Sequence, residues 1–302
     1  MVSNDLSNLS LIVQGPFNQH ICDVLHYYEN QFPSLEIVII SWGVDYSKYK
    51  KNLLKKSENK KIIVAKDPGG QISTKGEKLN VNRQLVSTKL GIQNANRKYC
   101  LKIRSDIELD LNKTIEQYNK FNRKNITNTQ NKESILIVNL TSENPKYSGR
   151  YFSFCDWIYF GLSEDINNLI IAEPYPDKFL SFESKNNSAL RYNAEQWMVL
   201  KGLLGDDFRS IMPHSYSITE TVINHYSNVL KSLIILNPRC LGLKSYKYNL
   251  YQFALSRMFT FKEWKKLYFE DYNYKFDLDR TLFNIHGFLF KIKKIFNGLF
   301  LF

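Results

Sequence analysis

Along the first half of the chain, short uninterrupted apolar runs alternate with segments of helical period. Residues 9–15, LSLIVQG, are an apolar run closed by Gly15-Pro16, which predicts a buried strand entering a turn. Residues 21–32, ICDVLHYYENQF, place Ile21, Val24, Leu25 and Tyr28 at helical spacing, and Pro33 ends that helix. LEIVIIS over 35–41 predicts a second buried strand. KIIVAKDPGG over 61–70 predicts a third, closed by the turn Asp67-Pro68-Gly69-Gly70. NVNRQLVSTKLGIQNA over 80–95 predicts a helix with Val81, Leu85, Leu90 and Ile92 inward, and YCLKI over 99–103 a fourth strand. Buried strands separated by helices predict an α/β domain with a mostly parallel sheet.

Beyond residue 110 the pattern is looser. Residues 111–134 predict a short helix followed by an exposed loop, and SILIVNL over 134–140 another strand. FSFCDWIYFGLSEDINNLI over 152–170 predicts a strand and then a helix with Ser163 as its cap and acids in its first turn. NAEQWMVLKGLLG over 193–205 is a compact helix with Asn193 as cap, Glu195 in the first turn and Gly205 at the end. In RTLFNIHGFLFKIKKIFNGLFLF, 280–302, Lys291, Lys293 and Lys294 stand among Phe and Ile. That segment fits an amphipathic helix lying on an anionic membrane, or a C-terminal helix docked on the body or at a dimer contact. The expected division is one α/β domain over 1–240 and a helical C-terminal region over 241–302.

Composition narrows the function classes. The 302 residues are 43% hydrophobic and 23% charged, enough for a large core, and the net charge of +12 favours phosphate-bearing partners. No arginine-rich arm, zinc-finger spacing or aromatic RNA-binding motif accompanies that charge, so no nucleic-acid partner is expected. Cys22, Cys100, Cys155 and Cys240 are far apart and form no CxxC pair, which fits reduced thiols. No secretory signal pattern and no run of 18 apolar residues is present. The absence of GxSxG, HExxH, P-loop and GxGxxG patterns argues against hydrolase, zincin, P-loop kinase and dinucleotide readings.

The candidate chemistry lies at strand ends. In open α/β sheets ligands bind beyond the carboxyl ends of the strands. The predicted strands end in Gln14-Gly15-Pro16, Ser41-Trp42, Lys66-Asp67-Pro68 and Arg104-Ser105-Asp106. If the fourth strand ran on, Asp106, Glu108 and Asp110 would share a face and suit a hard cation such as Mg²⁺ or Mn²⁺. Arg104 would contact a phosphate or pair with an acid. An ordinary solvated strand end, its charges compensating one another, explains the same residues.

The blocks LSLIVQGP, EIVIISWG, KDPGG, NVNRQLVST, LKIRSDIEL and CDWIYFG, in that order over residues 8–200, resemble the WavE-like lipopolysaccharide synthesis family. The resemblance implies a glycosyltransferase with a GT-A-like (Rossmann-like) nucleotide-sugar-binding domain. It places Gln14, Gly15 and Pro16 at the nucleoside, Asp67 at the base or ribose, and Asn80 and Arg83 near the diphosphate. Arg104, Ser105 and Asp106 fall on the metal-binding acid motif. There the chain departs from the pattern: Arg104 stands where the first acid is expected. Either Asp106 holds a divalent metal with help from Glu108 or a histidine (His214 or His225), or Arg104 takes part of the cation's task. Glu195 is the expected base for an inverting transfer, with Asp156 the second candidate. The implied partners are a nucleotide-sugar donor, a UDP-sugar foremost, and a lipid-linked or oligosaccharide acceptor. The implied location is the cytoplasmic face of a bacterial inner membrane, reached through 280–302. A nucleotidyl- or phospho-transferase of surface-polysaccharide synthesis and a non-catalytic membrane scaffold are the rival readings.

Overall fold

The computed structural model describes residues 6–16, 19–53, 58–72, 78–124, 126, 131–170, 192–250 and 257–269. The expected tail at 280–302 lies outside them. The first half contains β1 (Leu9–Gln14), α1 (Gln19–Gln31), β2 (Glu36–Trp42), α2 (Gly43–Leu53) and β3 (Lys60–Ala65). A small hairpin, β4 (Gln71–Ile72) with β5 (Lys78–Leu79), precedes α3 (Val81–Asn94), β6 (Tyr99–Arg104), β7 (Ile107–Glu108) and α4 (Leu111–Phe121). The second half contains β8 (Ile135–Val138), α5 (Pro145–Ser148), β9 (Ile158–Leu162), α6 (Ser163–Leu169), α7 (Ala194–Leu204) and α8 (Phe208–Ile211). It continues with α9 (Glu220–Lys231), β10 (Leu233–Leu236), β11 (Lys244–Ser245) and α10 (Phe261–Phe269).

The main sheet runs β10-β8-β9-β6-β1-β2-β3. Strands β3, β2, β1 and β6 are mutually parallel, β8 and β10 are parallel to each other, and β9 is antiparallel to both β6 and β8. The fold is thus α/β and mostly parallel, as the alternating runs predict. Every residue of β1 and of β2 is buried, which is why they read as unbroken apolar runs: helices cover both faces. β3 is the half-exposed edge, and its lysines suit that place.

Several expectations need correction. Helix α2 has no counterpart in the sequence reading. Its GVDYSKYKKNL carries few apolar residues, and Val44 is 85% exposed. The third strand stops at Ala65, short of the DPGG turn. Ser163 does not cap α6; its hydroxyl donates instead to the Arg97 carbonyl, at 2.9 Å. The chain turns after Arg104, so Asp106, Glu108 and Asp110 do not share a face. Glu108 bonds Lys244 and Tyr246, while Asp110 caps α4 by accepting from Lys113 N.

The described residues after 241 join the same core. Trp264 of α10 is fully buried and donates its indole N–H to the Leu233 carbonyl at 2.7 Å. Tyr268 meets Ser134 at 2.6 Å.

Candidate active site

Strands β2 and β6 flank β1 on opposite sides, so the direction of winding reverses at β1. A crevice opens there, beyond the carboxyl ends of the parallel strands. The cleft holds about 980 Å³ and is lined from β1 by Gln14, Gly15 and Pro16, from β2 by Trp42, and after β3 by Lys66 and Asp67. Asn80 and Arg83 line it at the start of α3, Arg104, Ser105 and Asp106 at the end of β6, and Glu195 at the start of α7. All nine residues expected to bind nucleotide-sugar, and one of the two expected catalytic acids, therefore border one space.

The turn after β1 is locked to the turn after β6. Ser105 N donates to the Gln14 carbonyl at 2.7 Å, and Ser105 Oγ to the Pro16 carbonyl at 2.8 Å. Gly15 has φ +128°, and a Cβ there would lie 2.5 Å from Ser105 Oγ. Only glycine lets the two turns close in this way. The Gln14 amide oxygen accepts from Ser87 and Thr88 of α3, which fixes the side chain in the floor.

Both arginines that line the cleft are paired. Arg83 grips Asp67 with Nε at 2.8 Å and Nη2 at 2.5 Å, and its Nη1 donates to Asn80 Oδ1 at 3.0 Å. Asp67 also accepts from Gly69 N at 2.9 Å, an Asx turn that shapes the loop. Arg104 grips Asp106 with Nε at 2.9 Å and Nη2 at 2.8 Å. Its guanidinium packs against two neighbouring aromatic rings, 4.7 Å from the Trp157 ring centre and 5.5 Å from that of Tyr248, which themselves lie 5.5 Å apart. Burial disfavours the Arg104 charge, but the bonds to Asp106 outweigh it and raise the Arg104 pKa above its ordinary value.

Glu195 stands at the first turn of α7, where Asn193 and Gln196 form a capping box. The start of this helix is anchored from the 149–157 segment. Asn193 donates to Ser153 Oγ at 2.8 Å and Gln196 Nε2 to the Tyr151 carbonyl at 2.8 Å. In that segment Phe152 takes φ 60°, a conformation that bulky residues rarely adopt. Burial, and then the nearby Asp156 charge, push Glu195 up to about 7.

Asp156 itself does not border the cleft. It lies beneath, beside Lys102 of β6, with Lys102 Nζ 4.0 Å from its Oδ2 and bonded to its backbone carbonyl. Lys102 is fully buried under the Tyr159 ring, and burial pulls its pKa down to about 8. Trp42 and Lys66 line the cleft as strand ends on the expected ligand edge, while Tyr192, Lys102, Lys247, Tyr248 and Trp157 were not anticipated. Lys102 had a signal, a charge at an inward position of an otherwise apolar strand. Lys247 and Tyr248 had none, because the antiparallel pairing of β11 with β7 brings them in.

The expected metal ligands are dispersed. Glu108 bonds Lys244 at 3.0 Å and Tyr246 at 2.6 Å, away from the cleft lining. His214 accepts from Tyr216 N within a turn, and His225 lies on α9; neither borders the cleft. Among the described residues no group of three His, Cys, Asp or Glu side chains could hold a metal, and both oxygens of Asp106 accept from Arg104. Among the described residues, this donor set does not fit a divalent cation.

An open, mostly parallel sheet with a polar cleft at its switch point defines a Rossmann-like α/β domain. The chain belongs to the WavE lipopolysaccharide synthesis family, whose profile matches residues 9–296. No curated protein sequence matches the chain. Among solved structures, S. aureus TarS is similar at 12% identity and TM-score 0.36, over 66% of this chain but 34% of TarS. The galactosyltransferase LgtC, in complex with donor and acceptor sugar analogs, is similar at 10% identity and TM-score 0.40, over 86% of this chain and 95% of LgtC. A 4-diphosphocytidyl-2C-methyl-D-erythritol synthase from Anaerococcus prevotii is similar at 7% identity and TM-score 0.34, over 76% of this chain and 86% of that one. Likeness at this level decides nothing about the activity. Among the described residues no helix is long and apolar enough to cross a membrane.

Proposed function

We propose that this protein is a glycosyltransferase that moves a sugar from a nucleotide-sugar donor to a lipopolysaccharide, O-antigen or capsule acceptor. One juxtaposition carries the reading. A carboxylate of raised proton affinity, Glu195, opens onto the same cleft as the Arg104–Asp106 pair and the turn at Gln14–Pro16. Membership of a lipopolysaccharide synthesis family supports it.

The roles follow from position. The turn at Gln14–Pro16 and the Asp67 loop hold the nucleoside, with UDP as the first nucleotide to test. Arg104 faces the diphosphate as the sugar–phosphate bond breaks. Glu195 takes the proton of the acceptor hydroxyl as its oxygen attacks the anomeric carbon, which inverts that centre. Asp156 and Lys102 lie beneath: burial first, and then the Asp156 charge, keeps Glu195 basic enough to accept a proton near neutral pH. The acceptor is lipid-linked or an oligosaccharide. The basic surface and the 280–302 segment hold the enzyme at the cytoplasmic face of the inner membrane.

Incubation with radiolabelled nucleotide sugars and extracted surface glycan, followed by product analysis, tests the proposal. Release of a nucleoside diphosphate with label in the glycan is expected. Pyrophosphate release would replace sugar transfer with nucleotidyl transfer. Undiminished glycan synthesis in Asp106→Ala and Glu195→Ala cells would reduce the protein to a scaffold.

A further inference from the structure

We propose that the cleft takes up the diphosphate of its donor with the chain's own cations, Arg104 foremost, in place of a divalent metal. The proposal rests on the donor-binding role just given and adds how the phosphates are held. The strand end offers one carboxylate, Asp106, and both of its oxygens accept charge-assisted hydrogen bonds from Arg104, at 2.9 and 2.8 Å. A dication on Asp106 would have to break both bonds. It would then sit beside a guanidinium that stays charged at any working pH, and like charges that close repel strongly.

The guanidinium is itself built in as a fixed charge. Trp157 and Tyr248 pack side by side against it, their ring centres 4.7 and 5.5 Å away, and with Asp106 they hold it in place before an anion arrives. The backbone around it is tied as well: Ser105 N bonds the Gln14 carbonyl and Tyr246 N bonds the Asp106 carbonyl at 3.0 Å. Nε and Nη2 are used on Asp106, which leaves Nη1 for a phosphate oxygen. Lys66 and Lys247 reach the same cleft, and neither makes an ion pair with a described residue. Three cations thus border the cleft that would receive the leaving group. Arg83 is not counted, since each of its three nitrogens already donates to Asp67 or Asn80, whereas Nη1 of Arg104 does not donate to Asp106.

Calorimetric titration of the full chain with UDP, in excess chelator and again in millimolar Mn²⁺ or Mg²⁺, is the test. Affinities within about twofold of each other are expected. Arg104→Met should weaken UDP binding at least tenfold while changing uridine binding much less, and Arg104→Lys should recover part of the loss. Circular dichroism melting of each variant separates misfolding from lost contacts. Asp106→Asn should tighten UDP binding, because it removes a fixed anion facing the phosphates. A tenfold loss of UDP affinity in chelator, restored by metal, overturns the proposal, as does a tenfold loss in Asp106→Asn. Absence of UDP binding with uridine binding intact in every condition also overturns it. Absence of binding by every nucleoside diphosphate and nucleoside would overturn the transferase reading beneath it.

Discussion

Glu195 carries the most chemistry of any single residue, and its environment predicts two measurable effects. Its raised pKa means that the folded protein holds the proton more tightly than the unfolded chain. The group's favourable share of stability is therefore complete below pH 4.5 and lost as pH rises through about 7. Glu195→Gln should melt higher than the natural protein at pH 8, by on the order of 1 to 3 kcal/mol, and the gap should close toward pH 5. Transfer should fall about 10²- to 10⁴-fold in the same variant, and in the natural enzyme it should decline below pH 7 as Glu195 becomes protonated. Gly15 is the second sensitive position. Gly15→Ala combines a strained φ with a Cβ 2.5 Å from Ser105 Oγ. A stability loss of about 1 to 3 kcal/mol in denaturant titration, with weakened nucleotide binding, is expected.

Among the elements, α10 matters most to the cover of the sheet and α7 to the frame of the cleft. Helix α10 caps β10 at the sheet edge through Trp264, whose indole bond to the Leu233 carbonyl satisfies a buried acceptor. The boundary expected at 240 would strip this cover from the sheet. A chain ending at 240 should be insoluble or molten by circular dichroism and proteolysis, and Trp264→Ala should cost about 3 to 5 kcal/mol. A 1–240 fragment that unfolds cooperatively near the temperature of the full chain would show that the boundary is real. Helix α7 packs so closely on the end of α6 that a Cβ at Gly202 would stand 2.3 Å from the Leu169 carbonyl. That contact fixes the far end of the helix that begins beside Glu195.

For the chain as a whole, the net charge of +12 is its most pronounced bulk property. A surplus of this size draws a protein toward anionic surfaces, and salt screens the attraction. Deletion of 280–302 should reduce sedimentation with phosphatidylglycerol vesicles severalfold, while the natural chain should release from them between low salt and 0.5 M NaCl. Vesicle binding that is unchanged by the deletion would move the membrane contact to the folded body.

Much of the architecture was legible because it rests on local rules. Apolar runs of strand length, turn pairs such as Gly15-Pro16 and the cap at Asn193 act over a few residues, and the sequence displays them directly. So does the edge at which ligands bind, once the strands are in order. Helix α2 escaped because its amphipathic pattern is weak and packing on β2 and β3 stabilises it. The partnership of side chains was not legible at all. Whether Asp106 shares a face with Glu108 or turns back onto Arg104 depends on a bend of two residues. Whether Trp157 and Tyr248 pack against Arg104 depends on sheet pairings that join positions about 50 to 140 residues apart in the chain. The sequence alone determined which strand ends carry polar groups, because periodicity and turn chemistry are short-ranged. Only the tertiary structure decided which of those charges neutralise one another, because that is set by distances of a few ångströms between segments far apart in the chain.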